Sequence, residues 1–153
     1  MKNLTVIAEG IALEAHDGQL YGTRNYVDAH VEPVADLIAR LGYGEQYQLT
    51  GWLHDVLEDS DFTTADLLER SIPQNVVDAV ELLTRKSDQN HKVYLNRIAM
   101  NGLAVVGKFA DSSINFSNTV LNTHEADEVK VREMLAKYAG NLAFLFPLLP
   151  SPE

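Results

Sequence analysis

The segment Trp52-Leu53-His54-Asp55-Val56-Leu57-Glu58-Asp59 places an imidazole and three carboxylates within little more than one helical turn. Side chains four residues apart share a helix face, so this spacing pairs His54 with Glu58 and Asp55 with Asp59. The four apolar residues of the segment indicate that the same helix is largely buried. Acids this close together repel one another and are costly to bury without a cation or polar partners. The segment therefore predicts a divalent-metal site that can also activate water.

Apolar residues recur at three- and four-residue spacing along almost the whole chain, which predicts an all-α fold with a loop from Asp17 to about Asn25. Residues 1–146 are expected to form a single domain and residues 147–153 a loose tail. The predicted helices cover Thr5 to His16, Pro33 to Arg40, Glu45 to Asp59, a short helix capped by Thr63 or Thr64, Pro73 to Leu83, His91 to Met100, a seventh through Val105 and Ile114 after the Asn101-Gly102 turn, and Glu125 to Leu145.

Composition narrows the possible functions. The 153 residues contain no cysteine, which excludes disulfides and thiolate ligands, so a metal would be held by histidines and carboxylates. The chain has no apolar run long enough to span a membrane, and we expect a soluble, cytoplasmic protein. A formal net charge of −10 disfavours polymeric nucleic acid as a partner, because such binding depends on Lys and Arg. A small anionic substrate is still compatible with that charge.

A second polar cluster lies on the predicted seventh helix. Lys108, Asp111 and Asn115 occupy positions i, i+3 and i+7, so they share one face among apolar neighbours. The alternative interpretation is an ordinary Lys108–Asp111 ion pair at the surface. The cluster therefore predicts either a functional site or a weak surface ion pair.

The histidines differ in their surroundings. His30 precedes the second helix and is a candidate metal ligand, although a lone histidine is more often a core residue or a helix cap. The remaining histidines lack neighbours of this kind, and we expect exposed or capping roles for His16, His91 and His124.

A His, then an adjacent His-Asp pair, then a distant Asp is the pattern that gives the HD phosphohydrolase superfamily its name. Here it is formed by His30, His54-Asp55 and Asp111. Over about Ile11 to Asn118 the sequence resembles the hydrolase domain of the Rel/Spo alarmone enzymes and their small stand-alone relatives. The segments that carry this resemblance are His16-Asp17-Gly18-Gln19, Leu53-His54-Asp55-Val56-Leu57-Glu58-Asp59-Ser60, Val80-Glu81-Leu82-Leu83-Thr84 and Val106-Gly107-Lys108-Phe109-Ala110-Asp111.

The resemblance implies an all-α HD-domain bundle of about seven to eight helices with one divalent ion held by His30, His54, Asp55 and Asp111. Nitrogen and oxygen ligands in this combination suit manganese, iron or zinc better than calcium. The family analogy implies manganese, with Fe²⁺, Zn²⁺ or Co²⁺ as alternatives.

The resemblance also implies roles for the residues around the metal. Glu58 and Asp59 would orient the attacking water or take its proton, Asn115 would contact a ribose, and Lys108 would contact a phosphate or a carboxylate. Additional positive charge for a phosphorylated substrate could come from Arg24, Arg85 and Lys86, for which ordinary surface solvation is the alternative. Trp52 is expected in the core and not as a platform for stacking a base.

Together these features predict a metal-dependent phosphohydrolase that acts on a nucleotide-like small molecule. Its most specific form removes the 3′-pyrophosphate from a guanosine polyphosphate. Two alternatives are a nucleotidase acting on nucleoside mono- or triphosphates and a non-catalytic regulatory module that binds metal or nucleotide. Intact Glu58 and Asp59 favour an enzyme. The sequence leaves open whether the chain forms a homo-oligomer.

Overall fold

The computed structural model describes residues 1–123 and 127–152 of the chain. The fold is all-α, as predicted. The α-helices, in chain order, are α1 (Leu4–Ala15), α2 (Glu32–Arg40), α3 (Glu45–Leu53), α4 (Val56–Asp59), α5 (Thr64–Glu69), α6 (Gln74–Leu83), α7 (His91–Ile98), α8 (Gly102–Leu121) and α9 (Glu128–Leu145). A π-helical turn, Val27–Val31, leads directly into α2, and a short 3₁₀-helix, Phe146–Leu148, follows α9.

Side-chain caps fix where several helices begin. The Thr63 side chain accepts from the backbone N–H of Asp66, and the Asp66 carboxylate accepts from the Thr63 N–H, a reciprocal capping box. Asn101 caps α8 by accepting from Ala104 N–H, so the predicted Asn101-Gly102 turn is the start of that helix. The seventh predicted helix is longer than expected, because α8 continues past Ile114 to Leu121. Of the predicted last helix, Glu125 and Ala126 lie outside the described residues, as does His124.

The predicted continuous helix from Glu45 to Asp59 is wrong, because α3 ends at Leu53 and α4 begins at Val56. In a regular helix the Gly51 carbonyl would accept from the N–H of Asp55. Here the Nδ1 atom of His54 lies 2.7 Å from that carbonyl oxygen and takes its place as donor. At this break the His54 side chain is buried, 3% exposed, and its Nε2 atom lies beside the Asp55 carboxylate.

The predicted loop between α1 and the π-helical turn contains a short β-hairpin. Strand β1 (Leu20–Tyr21) pairs antiparallel with β2 (Arg24–Asn25) through a turn at Gly22 and Thr23. Gly22 has φ 62°, a conformation that favours glycine and that suits a tight two-residue hairpin turn. Two-residue strands are too short for an alternating pattern to reveal them in the sequence.

The long helix α8 lies at the centre and packs against α9, α2, α3 and α6. Trp52 is buried in the main hydrophobic cluster, which confirms its predicted core position. The tail was predicted to be loose, but Pro150 and Leu149 are held against the bundle. Tyr43 donates its hydroxyl hydrogen to the Pro150 carbonyl at 2.6 Å, and Leu149 packs against the core. Pro152 lies beside Gly42, and Pro150 lies beside Gly102.

Among the described residues, no helix is both long enough and apolar enough to cross a membrane.

Replacing Gly51 with Ala should destabilise the fold, because α2 and α3 approach closely at this position. A Cβ atom on Gly51 would lie 2.7 Å from Ile38 Cδ1 and 3.1 Å from Ala35 Cα. We expect a loss of about 1–3 kcal/mol in the free energy of unfolding, measured by urea denaturation. Gly10→Ala is the control, since its added Cβ meets nothing within 4 Å apart from its chain neighbours and the backbone of its own helix, and it should be neutral or stabilising. Equal effects of the two substitutions would contradict the close approach.

Candidate metal centre

Three separate parts of the chain supply the buried histidines and aspartates of the site. His30 comes from the π-helical turn, His54 and Asp55 from the break between α3 and α4, and Asp111 from the middle of α8. One ligand atom from each of these residues lies within 4.8 Å of those of the other three. His30, His54 and Asp111 are 1%, 3% and 6% exposed, so the cluster is part of the interior.

The contacts within the cluster join nitrogen and oxygen atoms across the three elements. His30 Nε2 lies 2.9 Å from Asp111 Oδ1, and His54 Nε2 lies 3.0 Å from Asp55 Oδ2. The two Nε2 atoms are 3.1 Å apart. Two ring nitrogens and two carboxylates therefore converge on one small region, as ligands of a shared cation would.

The chemistry of this set fits a divalent cation. The Gly51 carbonyl can only accept a hydrogen bond, so the nearby Nδ1 of His54 carries the ring hydrogen. In its neutral form, His54 would then present the lone pair of Nε2 to the cluster, which is the form that binds a metal. Imidazole nitrogen with carboxylate oxygen suits Mn²⁺, Fe²⁺, Zn²⁺ or Co²⁺ and does not by itself select among them.

The local charges shift the protonation of the cluster. Burial opposes a charged His54, but the carboxylates of Asp55 and Asp111 outweigh burial and raise the pKa of His54 well above 6.5. Burial likewise opposes ionised Asp55, yet His54 lowers the pKa of Asp55 to about 2. The pKa of Asp111 is held well below its ordinary range, against the effect of burial, by Lys108 and the two histidines. The carboxylates are therefore ionised, and the proton on His54 is the one that a divalent cation would displace.

Lys108 and Asn115 both contact Asp111. Lys108 Nζ lies 2.8 Å from Asp111 Oδ2, and Asn115 Nδ2 donates to Oδ1 at 3.1 Å. Burial would favour neutral Lys108, but Asp111 outweighs it and raises the lysine pKa. The predicted Lys108–Asp111 ion pair exists, but it lies partly buried at the cluster and not at the surface. Lys108 thus contacts a carboxylate and holds Asp111 in place.

Tyr26 is a member of the site that the sequence did not indicate. Its hydroxyl donates to Asp55 Oδ2. Burial and the Asp55 charge both raise the pKa of Tyr26, so the hydroxyl keeps its hydrogen. No spacing signal links Tyr26 to Asp55, because the two residues are brought together only by the fold.

Each of the two further acids is held by a donor from another part of the chain. Glu58 Oε1 accepts from the backbone N–H of Arg85 at 3.0 Å, and Asp59 Oδ2 accepts from Gln19 Nε2 at 3.0 Å. Burial, followed by the charges of Asp55 and Asp59, raises the pKa of Glu58 despite the bond from Arg85. A carboxylate with a raised pKa is a better proton acceptor near neutral pH.

The candidate cations lie in different surroundings. The Arg85 Nε atom donates to the carbonyl oxygen of Gln89 at 3.2 Å, so this side chain turns toward its own loop, and Lys86 is exposed nearby. Arg24 is exposed on β2 and lines a cavity of about 380 Å³ together with Tyr21, Asn118 and α9 residues. Tyr21 connects this cavity to the cluster, since its ring stacks on His30 with centroids 5.5 Å apart and its hydroxyl donates to Asn115 Oδ1.

Of the other histidines, His16 and His91 differ in their burial and contacts. His16 is the C-cap residue of α1, as the capping prediction allows, but its side chain is buried and not exposed. His91 is the first residue of α7, is partly buried, and contacts Asn141 Oδ1 through Nε2 at 2.8 Å. Both lie outside the metal cluster.

Comparison with known proteins supports the fold. No protein-family model and no curated protein matches the sequence. The chain is similar to the solved structure of a metazoan orthologue of SpoT, described as hydrolysing ppGpp and playing a role in starvation responses. The TM-score is 0.77 at 19% sequence identity, over 100% of this chain and 91% of that chain. At this identity the likeness establishes the fold.

Replacing His54 with Ala should weaken Mn²⁺ binding by more than about 100-fold, because it removes a nitrogen ligand that no neighbouring group replaces. Isothermal titration calorimetry on metal-free protein measures the affinity. The matched control is His91→Ala, which removes a histidine outside the cluster and should leave Mn²⁺ affinity unchanged. Undiminished binding by His54→Ala protein would refute the ligand assignment.

Mn²⁺ affinity should also rise with pH. A cation must displace the proton from His54, whose pKa lies above 6.5, so affinity should keep increasing from pH 6.5 upward until that raised pKa is passed. Displacement of one proton corresponds to about tenfold in affinity per pH unit. Calorimetry in buffers of different ionisation enthalpy counts the protons released. An affinity that is constant above pH 6.5, with no proton release, would contradict the displacement of a proton from His54.

Proposed function

We propose that this protein is a metal-dependent phosphohydrolase of the HD type. The observation that carries the proposal is the buried His30, His54, Asp55 and Asp111 set, together with two acids, Glu58 and Asp59, that each accept a hydrogen bond from a distant part of the chain. A purely structural metal would not require these additional carboxylates. The likeness to a ppGpp-hydrolysing protein supports the same class of reaction.

A bound divalent ion in this site would lower the pKa of a water molecule and polarise a phosphoryl oxygen. The protein's own residues hold the metal ligands and act on the water. Lys108 and Tyr26 each occupy one carboxylate oxygen of the proposed ligands, which fixes the orientation of Asp111 and Asp55. Glu58, with its raised pKa, accepts the proton of the attacking water, and Asp59 orients that water.

The leading substrate is a guanosine nucleotide that carries a 3′-pyrophosphate. In this reaction the water oxygen bonds to the phosphorus next to the ribose, the bond from that phosphorus to the 3′-oxygen breaks, and the 3′-oxygen receives a proton. When the substrate is guanosine tetraphosphate, the products are the nucleoside 5′-diphosphate and pyrophosphate. The nucleoside would lie in the cavity beside Tyr21, with Arg24 near its charged groups and Asn115 close to the ribose.

One observation favours a second candidate, a nucleotidase acting on less highly charged nucleotides. Lys108 is engaged with Asp111, and the Arg85 side chain with the Gln89 carbonyl, so neither is directed at a substrate phosphate. A tetraphosphate requires more positive charge than a nucleoside monophosphate in a site that already contains several carboxylates. The same metal site would serve either reaction.

Replacing Glu58 with Gln and Asp59 with Asn together should reduce turnover by at least about 100-fold, because water loses its proton acceptor and its orienting carboxylate. Mn²⁺ affinity should be unchanged, since neither acid is a proposed ligand. Asp61→Asn with Glu69→Gln is the control. It removes the same charge from two exposed acids in the open groove, which is also lined by Asp59, Phe62 and Arg70. Full activity of the Glu58→Gln, Asp59→Asn protein would exclude the mechanism.

Product analysis separates the candidate substrates. The Mn²⁺-loaded protein is incubated with guanosine tetraphosphate, ordinary nucleoside di- and triphosphates, and nucleoside and deoxynucleoside monophosphates. Pyrophosphate released only from the first supports the alarmone hydrolase, and inorganic phosphate released from monophosphates supports the nucleotidase. Metal binding without turnover of any of these compounds would favour a regulatory module and contradict the proposal.

A further inference from the structure

Two residues outside the metal cluster form a hydrogen-bonded chain that ends on Asp59. His16 Nδ1 lies 2.8 Å from Gln19 Oε1, and Gln19 Nε2 lies 3.0 Å from Asp59 Oδ2. His16 is 1% exposed, whereas the Asp59 side chain is 25% exposed. The chain thus runs from the interior to a carboxylate at the edge of the large open groove.

The Asp59 carboxylate determines which group donates in each hydrogen bond of the chain. An ionised carboxylate accepts hydrogen bonds and cannot donate them, so Gln19 must turn its NH₂ group toward Asp59. Its carbonyl oxygen then faces His16, and that contact requires a hydrogen on Nδ1. With a hydrogen on Nδ1, His16 supports the orientation of the Gln19 amide in which a donor points at Asp59.

Gln19 is also held through its backbone. Its N–H donates to the His16 carbonyl at 3.0 Å, and its carbonyl accepts from the N–H of Tyr26 at 3.0 Å. The His16 ring packs on Tyr26, with centroids 4.9 Å apart. The donor aimed at Asp59 is thus anchored to the base of the hairpin and to the residue that holds Asp55.

The stability of the fold does not explain a histidine at position 16. Its Nε2 atom is buried and has no hydrogen-bond partner among the described residues. An unsatisfied buried polar atom is destabilising, and an apolar side chain of similar size would avoid that cost. The retained imidazole is better explained by the bond that its other nitrogen makes to Gln19.

We infer that His16 and Gln19 are positioning residues for Asp59, holding its carboxylate toward the site instead of letting it turn into the open groove. Asp59 is the last residue of the short helix α4, and the chain is already extended at Ser60, so the helix alone constrains its side chain little. The effect on turnover rests on the proposed function. The geometry of the chain of bonds does not.

Gln19→Met removes the donor but keeps the length of the side chain. We expect kcat to fall about tenfold while KM and Mn²⁺ affinity stay within twofold, since neither the ligands nor the nucleoside cavity is changed. His16→Leu should reproduce this loss. His16→Asn, whose amide nitrogen stands close to the position of Nδ1, should restore most of it, and thermal denaturation checks that all variants fold.

A double-mutant cycle separates positioning from a general structural effect. In an Asp59→Ala background, Gln19→Met should change kcat by less than about twofold, because the carboxylate that Gln19 holds is gone. An undiminished tenfold loss in that background, or an unchanged kcat for Gln19→Met in otherwise wild-type protein, would overturn the inference while leaving the hydrolase itself established.

A measurement without substrate tests the chain of bonds even if no turnover is found. The ¹⁵N chemical shifts of the His16 ring, assigned by comparison with His16→Asn protein, should place the hydrogen on Nδ1. The Gln19 side-chain amide signals should move in Asp59→Ala protein, with Asp61→Ala as the control. A hydrogen on Nε2 only, or Gln19 side-chain amide signals that do not move in Asp59→Ala protein, would refute the inference independently of activity.

Discussion

The packing of two imidazoles and two carboxylates into a space where their ligand atoms lie within 4.8 Å is the constraint on which the rest of the structure depends. Charged groups are expensive to bury unless they are paired, so every neighbouring element has to contribute compensation. The π-helical turn directs His30 inward, the break after α3 turns His54 and Asp55 inward, and α8 brings Asp111 to both histidines. A divalent cation would complete this balance in place of the proton on His54.

The groups around the cluster hold its carboxylates in place through their oxygens. Lys108 takes one oxygen of Asp111, and Tyr26 contacts the oxygen of Asp55 that also lies near the histidines. Glu58 and Asp59 are held instead by Arg85 N–H and by Gln19, which leaves them outside the ligand set but restrained. This arrangement separates residues that would bind a metal from residues that would act on water, and it explains why acids that are close in sequence have different roles.

The sequence predicted the fold class and the principal helices, because helical periodicity and caps are local signals. The identity of the clustered residues came from the resemblance to the HD phosphohydrolases and not from local spacing alone. The sequence prediction failed at one local break in the backbone and where the structure depends on contacts between distant segments. The His54 ring displaces a backbone donor from the Gly51 carbonyl, and helix propensity does not predict the break that results. Tyr26 and Gln19 reach Asp55 and Asp59 across about thirty to forty intervening residues. His16 was expected to be exposed or to cap a helix, and it does cap α1, but nothing in its sequence neighbourhood signals the burial of its imidazole.

The central claim is that one divalent ion is bound by residues from the π-helical turn, the α3–α4 break and α8. A crystal structure of the Mn²⁺-loaded protein, with data collected at the manganese absorption edge, tests it most directly. The account predicts a single anomalous peak at coordination distance, about 2.0–2.3 Å, from the Nε2 atoms of His30 and His54 and from carboxylate oxygens of Asp55 and Asp111. A peak elsewhere, or none at these residues in protein shown to contain manganese, would contradict it.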